Sequence, residues 1–308
     1  MKLFVFGASG LVGSAVVRAS VRRRIETFSF VGTHPSGVGG VRSERSIDVT
    51  DREAVERLIL DEWPDVVINA AAVSSPGDVD QNPSRAEKIN VAFPRQLAML
   101  TRHIGAHLIH FSTDMVFDGS EGGYRSTSTP NPVNLYGQLK LMAEKEVLAF
   151  NDERATVLRI TIVNGNSITG QRSVHEKLLA AVAAGETPRL FTDEIRQPCS
   201  AGNVAEVVVE LAERNDLHGI FHWAGRDVVS RFELGKAVLS RFGLAEDRIQ
   251  AVEATVDSEA GSRPGNLTME LDPLAGKIKT VPASLVAQMN ELTPPAHLYK
   301  WIRENGRL

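Results

Sequence analysis

The sequence contains very little cysteine. Of its 308 residues, one is cysteine, at position 199. A single thiol cannot form an intrachain disulfide and cannot supply a zinc site built from several thiolates. We therefore expect Cys199 to be a small buried side chain, and the sequence predicts no metal site.

Long apolar runs and an excess of positive charge are also missing. No stretch approaches the roughly 20 apolar residues that span a bilayer, and Met1 and Lys2 lead directly into strand-like residues rather than a signal segment. The net charge of −4 and a pI near 6.1 give no general attraction for a polyphosphate. We expect a cytoplasmic protein that binds neither membranes nor nucleic acid.

Strand-like and helix-like patterns alternate through the first half of the chain. The predicted strands are 3–6, 28–32, 66–69, 107–111 and 156–162, and the predicted helices are 13–24, 51–63, 90–104 and 136–150. Residues 118–134 are rich in Gly, Ser, Thr and Pro and are predicted to be a long loop. This order predicts an α/β fold with a Rossmann-like, doubly wound parallel sheet.

The alternation weakens after residue 163. Helices are predicted near 174–184, 203–213 and 231–242, and a loop at 261–266. We expect two domains. The dinucleotide-binding domain would comprise 1–162 with about 197–225, and a smaller substrate-binding lid about 163–196 with 226–308.

A glycine-rich turn lies between the first predicted strand and the first predicted helix. A pyrophosphate needs close approach to the backbone and unpaired amide donors, and glycines at the start of a helix provide both. The position of the turn, more than its spacing, predicts a dinucleotide site. The candidate residues are Gly7, Ser9, Gly10, Leu11, Val12 and Gly13.

The end of the second predicted strand lacks the acidic residue typical of NAD-selective sites. Thr33 and His34 stand there, and the next carboxylate is Glu44. A 2′-phosphate would meet no fixed repulsion, which favours NADP(H) over NAD(H). Arg42 or Arg45 would have to fold back to contact that phosphate.

Tyr136 and Lys140 are predicted to lie on one face of a helix, because they are four residues apart. An ammonium beside a phenol favours the phenolate, so we expect the pKa of Tyr136 to be lowered from about 10. Thr113 ends the strand before the long loop, at the edge of the sheet where ligands bind. Its hydroxyl could donate to a developing oxyanion. Together with the glycine-rich turn, these residues predict an enzyme that moves a hydride between a nicotinamide and a carbonyl or alcohol.

Several motifs together resemble the extended short-chain dehydrogenase/reductases. They are Gly7 to Gly13, Asn69-Ala70-Ala71-Ala72, Ser112-Thr113-Asp114 with Val116-Phe117-Asp118-Gly119, Tyr136 to Lys140, and Arg263-Pro264-Gly265-Asn266. Within that family the chain is most similar to the dTDP-4-dehydrorhamnose reductases. The resemblance implies a Rossmann-like domain, NAD(P)H, and a nucleotide-linked 4-keto sugar as substrate.

The resemblance also assigns roles to individual residues. It implies Tyr136 as the acid, Lys140 as its partner and ribose anchor, and Thr113 as the oxyanion donor. It further places the pyrophosphate at Gly10, Leu11 and Val12, the adenine at Asp48 and Val49, the nicotinamide ribose at Ala70, Ala71 and Ala72, and a substrate diphosphate at Arg263. Some members form homodimers and some bind Mg²⁺, but the acidic residues here do not cluster at metal-ligand spacing.

Two predicted substrate-binding positions depart from the family pattern. Met115, after Thr113 and Asp114, replaces the usual tyrosine, and Ile162 stands where a tryptophan is usual. The absence of both aromatic rings favours a different sugar or a site no longer used. Met115 also occupies the position of the glutamate base of the related dehydratases, and a thioether cannot remove a proton. Reduction is therefore favoured over dehydration.

Two other functions stay open. One is a non-catalytic regulatory subunit that binds NADP(H), similar to the β subunit of methionine adenosyltransferase. A regulatory subunit need not bind a substrate, so it would not need aromatic residues at positions 115 and 162, where this chain has Met115 and Ile162. The other is a short-chain reductase of a carbonyl compound that is not a sugar. Competition by UDP or dTDP would distinguish this last function from a nucleotide-sugar reductase.

Overall fold

The structure is a computed structural model that describes residues 1–254 and 263–307. The described strands are β1 (Lys2–Phe6), β2 (Glu26–Val31), β3 (Ser43–Ser46), β4 (Val66–Asn69), β5 (His107–Thr113), β6 (Ala155–Ile160), β7 (Val163–Asn164), β8 (Arg189–Phe191), β9 (Ile195–Arg196), β10 (Cys199–Ser200), β11 (Gly219–Trp223), β12 (Val229–Ser230) and β13 (Gln250–Val252).

The described α-helices are α1 (Leu11–Arg22), α2 (Arg52–Glu62), α3 (Pro76–Gln81), α4 (Pro83–Glu87), α5 (Phe93–Ile104), α6 (Leu135–Asn151), α7 (Val174–Ala183), α8 (Ala201–Ala212), α9 (Arg231–Arg241), α10 (Leu285–Asn290) and α11 (Tyr299–Asn305). None of the helices in this part of the chain combines the length and the apolar character needed to cross a membrane.

Seven of the described strands form one parallel sheet. Their order is β3-β2-β1-β4-β5-β6-β11. The chain starts in the middle of the sheet at β1, adds β2 and β3 on one side, and then returns to add the others on the opposite side. This reversal leaves a crevice beyond the carboxyl ends of β1 and β4. The predicted Rossmann-like, doubly wound sheet is confirmed.

Helices cover both faces of the sheet. Leu3 and Val5 of β1 pack toward α1 and α8, whereas Phe4 and Phe6 pack toward α2 and α5. The rings of Phe6 and Phe30 stack with their centroids 4.8 Å apart. Because the strands are buried on both sides, they are apolar throughout rather than alternating.

A second core lies in the C-terminal half. The helices α7, α9, α10 and α11 contribute Leu179, Val238, Met289 and Ile302 to it. In contrast, α8 packs against α1, and β11 pairs with β6 in the main sheet. These contacts agree with the expected return of the chain to the sheet, while the two-domain division itself stays a prediction. Residues 255–262 and 308 of the predicted lid lie outside the described residues.

Most predicted elements of the first half are present with shifts of a few residues. The helix predicted at 136–150 is α6, whereas the helix predicted at 90–104 begins with a π-helical turn at Lys88–Ala92 before α5. The predicted loop at 118–134, all of which is described, contains no helix or strand. In the loop predicted at 261–266, Gly261 and Ser262 lie outside the described residues.

Candidate active site

A cleft of about 960 Å³ opens at the carboxyl edge of the sheet. It is bordered by the turn after β1, the ends of β4 and β5, the start of α6, and segments of the C-terminal half. The predicted site residues that line it are Gly10, Leu11, Val12, Gly13, Ala70, Ala71, Ala72, Thr113, Asp114, Met115, Tyr136, Lys140, Ile162 and Arg263. The fold thus brings the predicted catalytic residues and most of the predicted ligand-binding residues together.

The glycine-rich turn has the geometry of an anion cradle. Gly7 has φ of +76°, and a Cβ there would lie 2.5 Å from the backbone nitrogen of Ala71. Gly10 caps α1 without a side-chain hydrogen bond, so the first amides of the helix face the cleft without a side-chain partner. Gly7 and Ser9 do not line the cleft themselves. Gly7 instead allows the backbone of the turn to approach β4.

We expect Gly7→Ala to lower the free energy of unfolding by about 2–3 kcal/mol, because it adds steric overlap to a left-handed backbone. Gly105→Ala is the matched control, since Gly105 also has positive φ but a Cβ there would have no neighbour within 4 Å. Its cost should be about 1 kcal/mol. Urea unfolding measures both variants, and equal losses would show that the contact with Ala71 does not matter.

The predicted adenosine-binding residues lie outside the cleft. Thr33 and His34 are exposed after β2, Asp48 is exposed, and Val49 is half-buried. Asp48 accepts hydrogen bonds from the backbone and side chain of Thr50, which lower its pKa. None of these four residues lines the cleft, and their role stays a prediction.

The two arginines considered for a 2′-phosphate do not fold back. Arg42 lies 3.8 Å from the carboxylate of Glu26, and Arg45 lies 2.9 Å from that of Glu62. Glu44 accepts hydrogen bonds from the backbone nitrogen and the hydroxyl of Ser36. Neither arginine is therefore placed for a phosphate after β2.

The side chains of Thr113 and Tyr136 are hydrogen-bonded where β5 ends and α6 begins. Asn134 caps α6 by accepting a hydrogen bond from the backbone nitrogen of Gly137 at 2.8 Å, which sets Tyr136 in the first turn. A Cβ at Gly137 would collide with the carbonyl oxygen of Met115, so this glycine lets α6 start close to the end of β5. Thr113 Oγ1 donates to Asp114 Oδ1 at 3.1 Å.

The pKa of Tyr136 is raised, so the expected lowering by Lys140 is wrong. Loss of water around the phenol raises the pKa most, the charge of Asp114 adds to the rise, and a hydrogen bond with Thr113 opposes it. The amine of Lys140 is directed elsewhere. A raised pKa keeps the phenol protonated, which is the form that a proton donor requires.

Lys140 is buried, and its Nζ lies 3.3 Å from Nε2 of His110 on β5. Burial lowers the pKa of Lys140 to about 8, and the charge of Glu144 opposes this change. Tyr136, Lys140 and Glu144 follow one another at four-residue spacing and therefore share one face of α6. His110 and Glu144 were not singled out by the sequence analysis.

A buried ion pair lies behind the cleft. Arg159 Nη2 on β6 donates to Glu144 Oε2 at 2.6 Å, Arg159 Nε donates to Oε1 at 2.8 Å, and Ser112 Oγ donates to Oε1 at 2.5 Å. Arg159 and Glu144 are each 1% exposed. The guanidinium also lies over the ring of Phe117, 5.1 Å from its centroid. This pair ties α6 to β5 and β6.

The far end of the cleft carries charges that the sequence analysis did not single out. They are Arg172, Glu194, Arg196 and Arg231, which line the cleft together with Arg263. Arg196 donates to Glu194 Oε1 at 2.7 Å and to the carbonyl oxygens of Pro264 and Gly265 at 3.0 and 2.7 Å. It thereby holds the chain next to Arg263 against β9.

Two carboxylates of the cleft have buried oxygen atoms without a hydrogen-bond partner among the described residues. These atoms are Asp114 Oδ2 and Glu194 Oε2. Burial raises the pKa of Asp114, and the charge of Arg196 opposes the rise. Met115 and Ile162 are half-buried and line the same cleft. The lining therefore offers carboxylate oxygens that accept no hydrogen bond from the described residues, as well as guanidinium donors.

The described residues contain no cluster of metal ligands. Within 1–254 and 263–307, no three His, Cys, Asp or Glu side chains come close enough to hold a metal ion together. No chemical step below depends on the Mg²⁺ that some members of the resembled family bind.

The strand order and the glycine-rich turn define a Rossmann-like α/β protein, and Thr113, Tyr136 and Lys140 line its cleft. Comparison with known proteins identifies the family. The chain belongs to the RmlD substrate binding domain family, whose model matches residues 1–294.

Two relatives illustrate the range of proteins to which the chain is similar. The methionine adenosyltransferase 2 subunit beta of Xenopus laevis is 32% identical over 279 residues, which cover 88% of this chain and 80% of that protein. A Haloferax volcanii protein named "Probable low-salt glycan biosynthesis reductase Agl14" is 33% identical over 284 residues, which cover 90% of this chain and 92% of that protein.

Solved structures confirm the predicted similarity to dTDP-4-dehydrorhamnose reductases. A hypothetical dTDP-4-dehydrorhamnose reductase from Sulfolobus tokodaii has a TM-score of 0.79 and 28% identity, and the match covers 92% of this chain and 98% of that one. The enzyme from Bacillus anthracis, solved with NADP, has a TM-score of 0.81 at 20% identity, with 94% and 98% covered. The second likeness concerns the fold alone.

Proposed function

We propose that the protein is an NADPH-dependent reductase of the 4-keto group of a nucleotide-linked deoxysugar. The observation that carries this proposal is the convergence of Thr113, Tyr136 and Lys140 in one cleft beside the glycine-rich turn. Membership of the RmlD substrate binding domain family supports the substrate class. NADP(H) is preferred over NAD(H), because no carboxylate follows β2 at Thr33 and His34.

The cleft fits a dinucleotide. The open amides at the start of α1, at Leu11 and Val12, would hold the pyrophosphate, and the small side chains of Ala70, Ala71 and Ala72 leave the backbone accessible to a ribose. NADPH bound there would supply a hydride to the carbonyl carbon of the substrate.

Tyr136 then completes the reduction. Its phenol, kept protonated by the raised pKa, donates a proton to the carbonyl oxygen as charge develops there. Thr113 donates a hydrogen bond to the same oxygen and stabilises the charge. Lys140 holds the ribose hydroxyls from the next turn of α6. The product is the 4-hydroxy sugar, with its oxygen protonated by Tyr136.

The charged end of the cleft would hold the substrate. We assign the described residues of about 163–196 and 226–308 to the substrate-binding lid, with the guanidinium groups of Arg231 and Arg263 near the diphosphate. Asp114 Oδ2 and Glu194 Oε2 would accept hydrogen bonds from sugar hydroxyls, since both atoms are buried and accept no hydrogen bond from the described residues. Glu194 Oε2 also lies 4.0 Å from Arg263 Nη1.

The test is a turnover assay with purified protein. We expect NADPH to be consumed with a 4-keto sugar linked to dTDP, UDP or GDP, at a rate on the order of 1–10³ per second for the preferred nucleotide. NADH and the free keto sugar without a nucleotide are the controls. Inhibition by dTDP or UDP is expected. If no nucleotide-linked 4-keto sugar is reduced, the proposal fails. Reduction of another carbonyl compound that neither dTDP nor UDP inhibits would indicate a substrate that is not a sugar.

A regulatory role is the second candidate. It is favoured by the identity of 32% to a methionine adenosyltransferase 2 subunit beta over 88% of the chain. Such a role would require stable association with a catalytic methionine adenosyltransferase subunit, measured by co-purification and by a change in the rate of that subunit. The change should be the same with Tyr136→Phe, because regulation does not use the phenol.

A further inference from the structure

We propose that His110 is a positioning residue that favours the neutral amine of Lys140. Asn69 holds the imidazole of His110 in the tautomer with its proton on Nε2, and this proton is donated to Lys140 Nζ. The inference deepens the proposed function, because Lys140 belongs to the proposed catalytic set. It concerns a histidine that contacts neither the proposed substrate nor the proposed cofactor.

The amide orientation of Asn69 is the first step. The backbone nitrogen of Ala71 donates to Asn69 Oδ1 at 3.1 Å, so the oxygen of the amide faces Ala71. The amide nitrogen Nδ2 then faces His110 Nδ1, at 3.1 Å. Because Nδ2 has only protons to offer, Nδ1 of the imidazole must accept.

The protonation state of His110 is the second step. The imidazole is fully buried at 0% exposure, and burial holds the pKa of His110 well below its usual value. A neutral imidazole carries one proton, and with Nδ1 accepting, that proton is on Nε2. His110 is therefore a donor on the side of Lys140.

The contact with Lys140 is the third step. His110 Nε2 and Lys140 Nζ are 3.3 Å apart. An ammonium at this position would place two donors against each other, whereas a neutral amine offers a lone pair to the Nε2 proton. The alternative histidine tautomer would require the Asn69 amide to flip, which would place its NH₂ group against the amide nitrogen of Ala71.

The other groups around Lys140 do not reverse this preference. Glu144, one turn further along α6, favours the ammonium, but its carboxylate accepts hydrogen bonds from Arg159 on β6 and Ser112 on β5. Tyr136, one turn earlier, is kept neutral by its raised pKa. The pKa of Lys140 is about 8, so its amine changes charge close to neutral pH.

The test measures the titration of Lys140 directly in the full-length protein without cofactor or substrate. Trace labelling with acetic anhydride at a series of pH values, quantified for the Lys140 peptide by mass spectrometry, gives the midpoint at which the amine becomes reactive. The reagent is small and Lys140 lines the cleft. Because no turnover is measured, the result is independent of whether the protein proves to be a reductase.

We expect His110→Met to raise the midpoint by about one pH unit, a tenfold change in the protonation equilibrium, since the donor to the amine is lost. His110→Gln should keep the wild-type midpoint, because its amide can accept from Asn69 and donate to Lys140. An unchanged midpoint in His110→Met, or the same rise in His110→Gln as in His110→Met, would overturn the inference.

Asn69→Asp provides a second variant if His110→Met does not fold, as judged by its thermal melting curve. A carboxylate at this position accepts from Nδ1–H, which turns Nε2 into an acceptor and favours the ammonium of Lys140. The midpoint should therefore rise above that of the wild type. A midpoint that stays the same or falls would contradict the proposed tautomer.

Discussion

Replacing Tyr136 by phenylalanine should lower kcat for NADPH-dependent reduction by about 10²–10⁴-fold, the usual contribution of a general acid. The substitution removes the phenolic proton and little else, because the ring is retained. The phenol is the group whose raised pKa keeps it protonated beside Thr113. The measurement is steady-state NADPH consumption with the preferred nucleotide-linked keto sugar.

Tyr299→Phe is the matched control, since Tyr299 is 51% exposed and does not line the cleft. It should leave kcat unchanged. NADPH binding and the melting temperature should stay close to those of the wild type in both variants. Full activity of Tyr136→Phe would rule out Tyr136 as the proton donor, even if the protein is a reductase.

Glu144→Gln should destabilise the protein by about 3–5 kcal/mol, because it leaves the buried guanidinium of Arg159 without a countercharge. Glutamine keeps the volume of the side chain, so the loss reports charge rather than packing. For a chain of this size the melting temperature should fall by about 10 °C. Calorimetry or circular dichroism measures the shift.

The control for this second prediction is Glu53→Gln. Glu53 and Arg57 form an exposed pair at 4.0 Å, with side chains 87% and 69% exposed. Loss of this exposed ion pair should change the free energy of unfolding by less than about 0.5 kcal/mol. Replacing both Glu144 and Arg159 by methionine should restore much of the stability, since no unpaired charge remains. Equal losses from Glu53→Gln and Glu144→Gln would contradict the importance of burial.

The first half of the fold could be predicted because its signals are local. The apolar residues of β1, the glycines after it and the amphipathic α1 are consecutive, so their order and type follow from the sequence. β3 was missed because Ser43–Ser46 is a short, polar strand at the edge of the sheet, without alternation. β11 was not predicted as a strand, because its pairing with β6 is determined by distant contacts.

The candidate site was predictable where it depends on spacing within one element. The four-residue separation of Tyr136 and Lys140 placed both on one face of α6. It did not show which side chain the amine of Lys140 contacts. His110, which lies 3.3 Å from the amine of Lys140, and Asp114, whose charge adds to the raised pKa of Tyr136, come from β5 and the turn after it. Arg196 and Arg231 were missed because they come from the C-terminal half, where the regular alternation ends.

Successive turns of α6 carry a phenol, an amine and a carboxylate, and the last of these is fastened to the interior through Arg159. The positions of these three groups are therefore linked through the backbone of α6. A variant designed to bind a different ligand should therefore keep α6 unchanged and carry its substitutions in the loops across the cleft. Any rotation of α6 would shift all three groups at once.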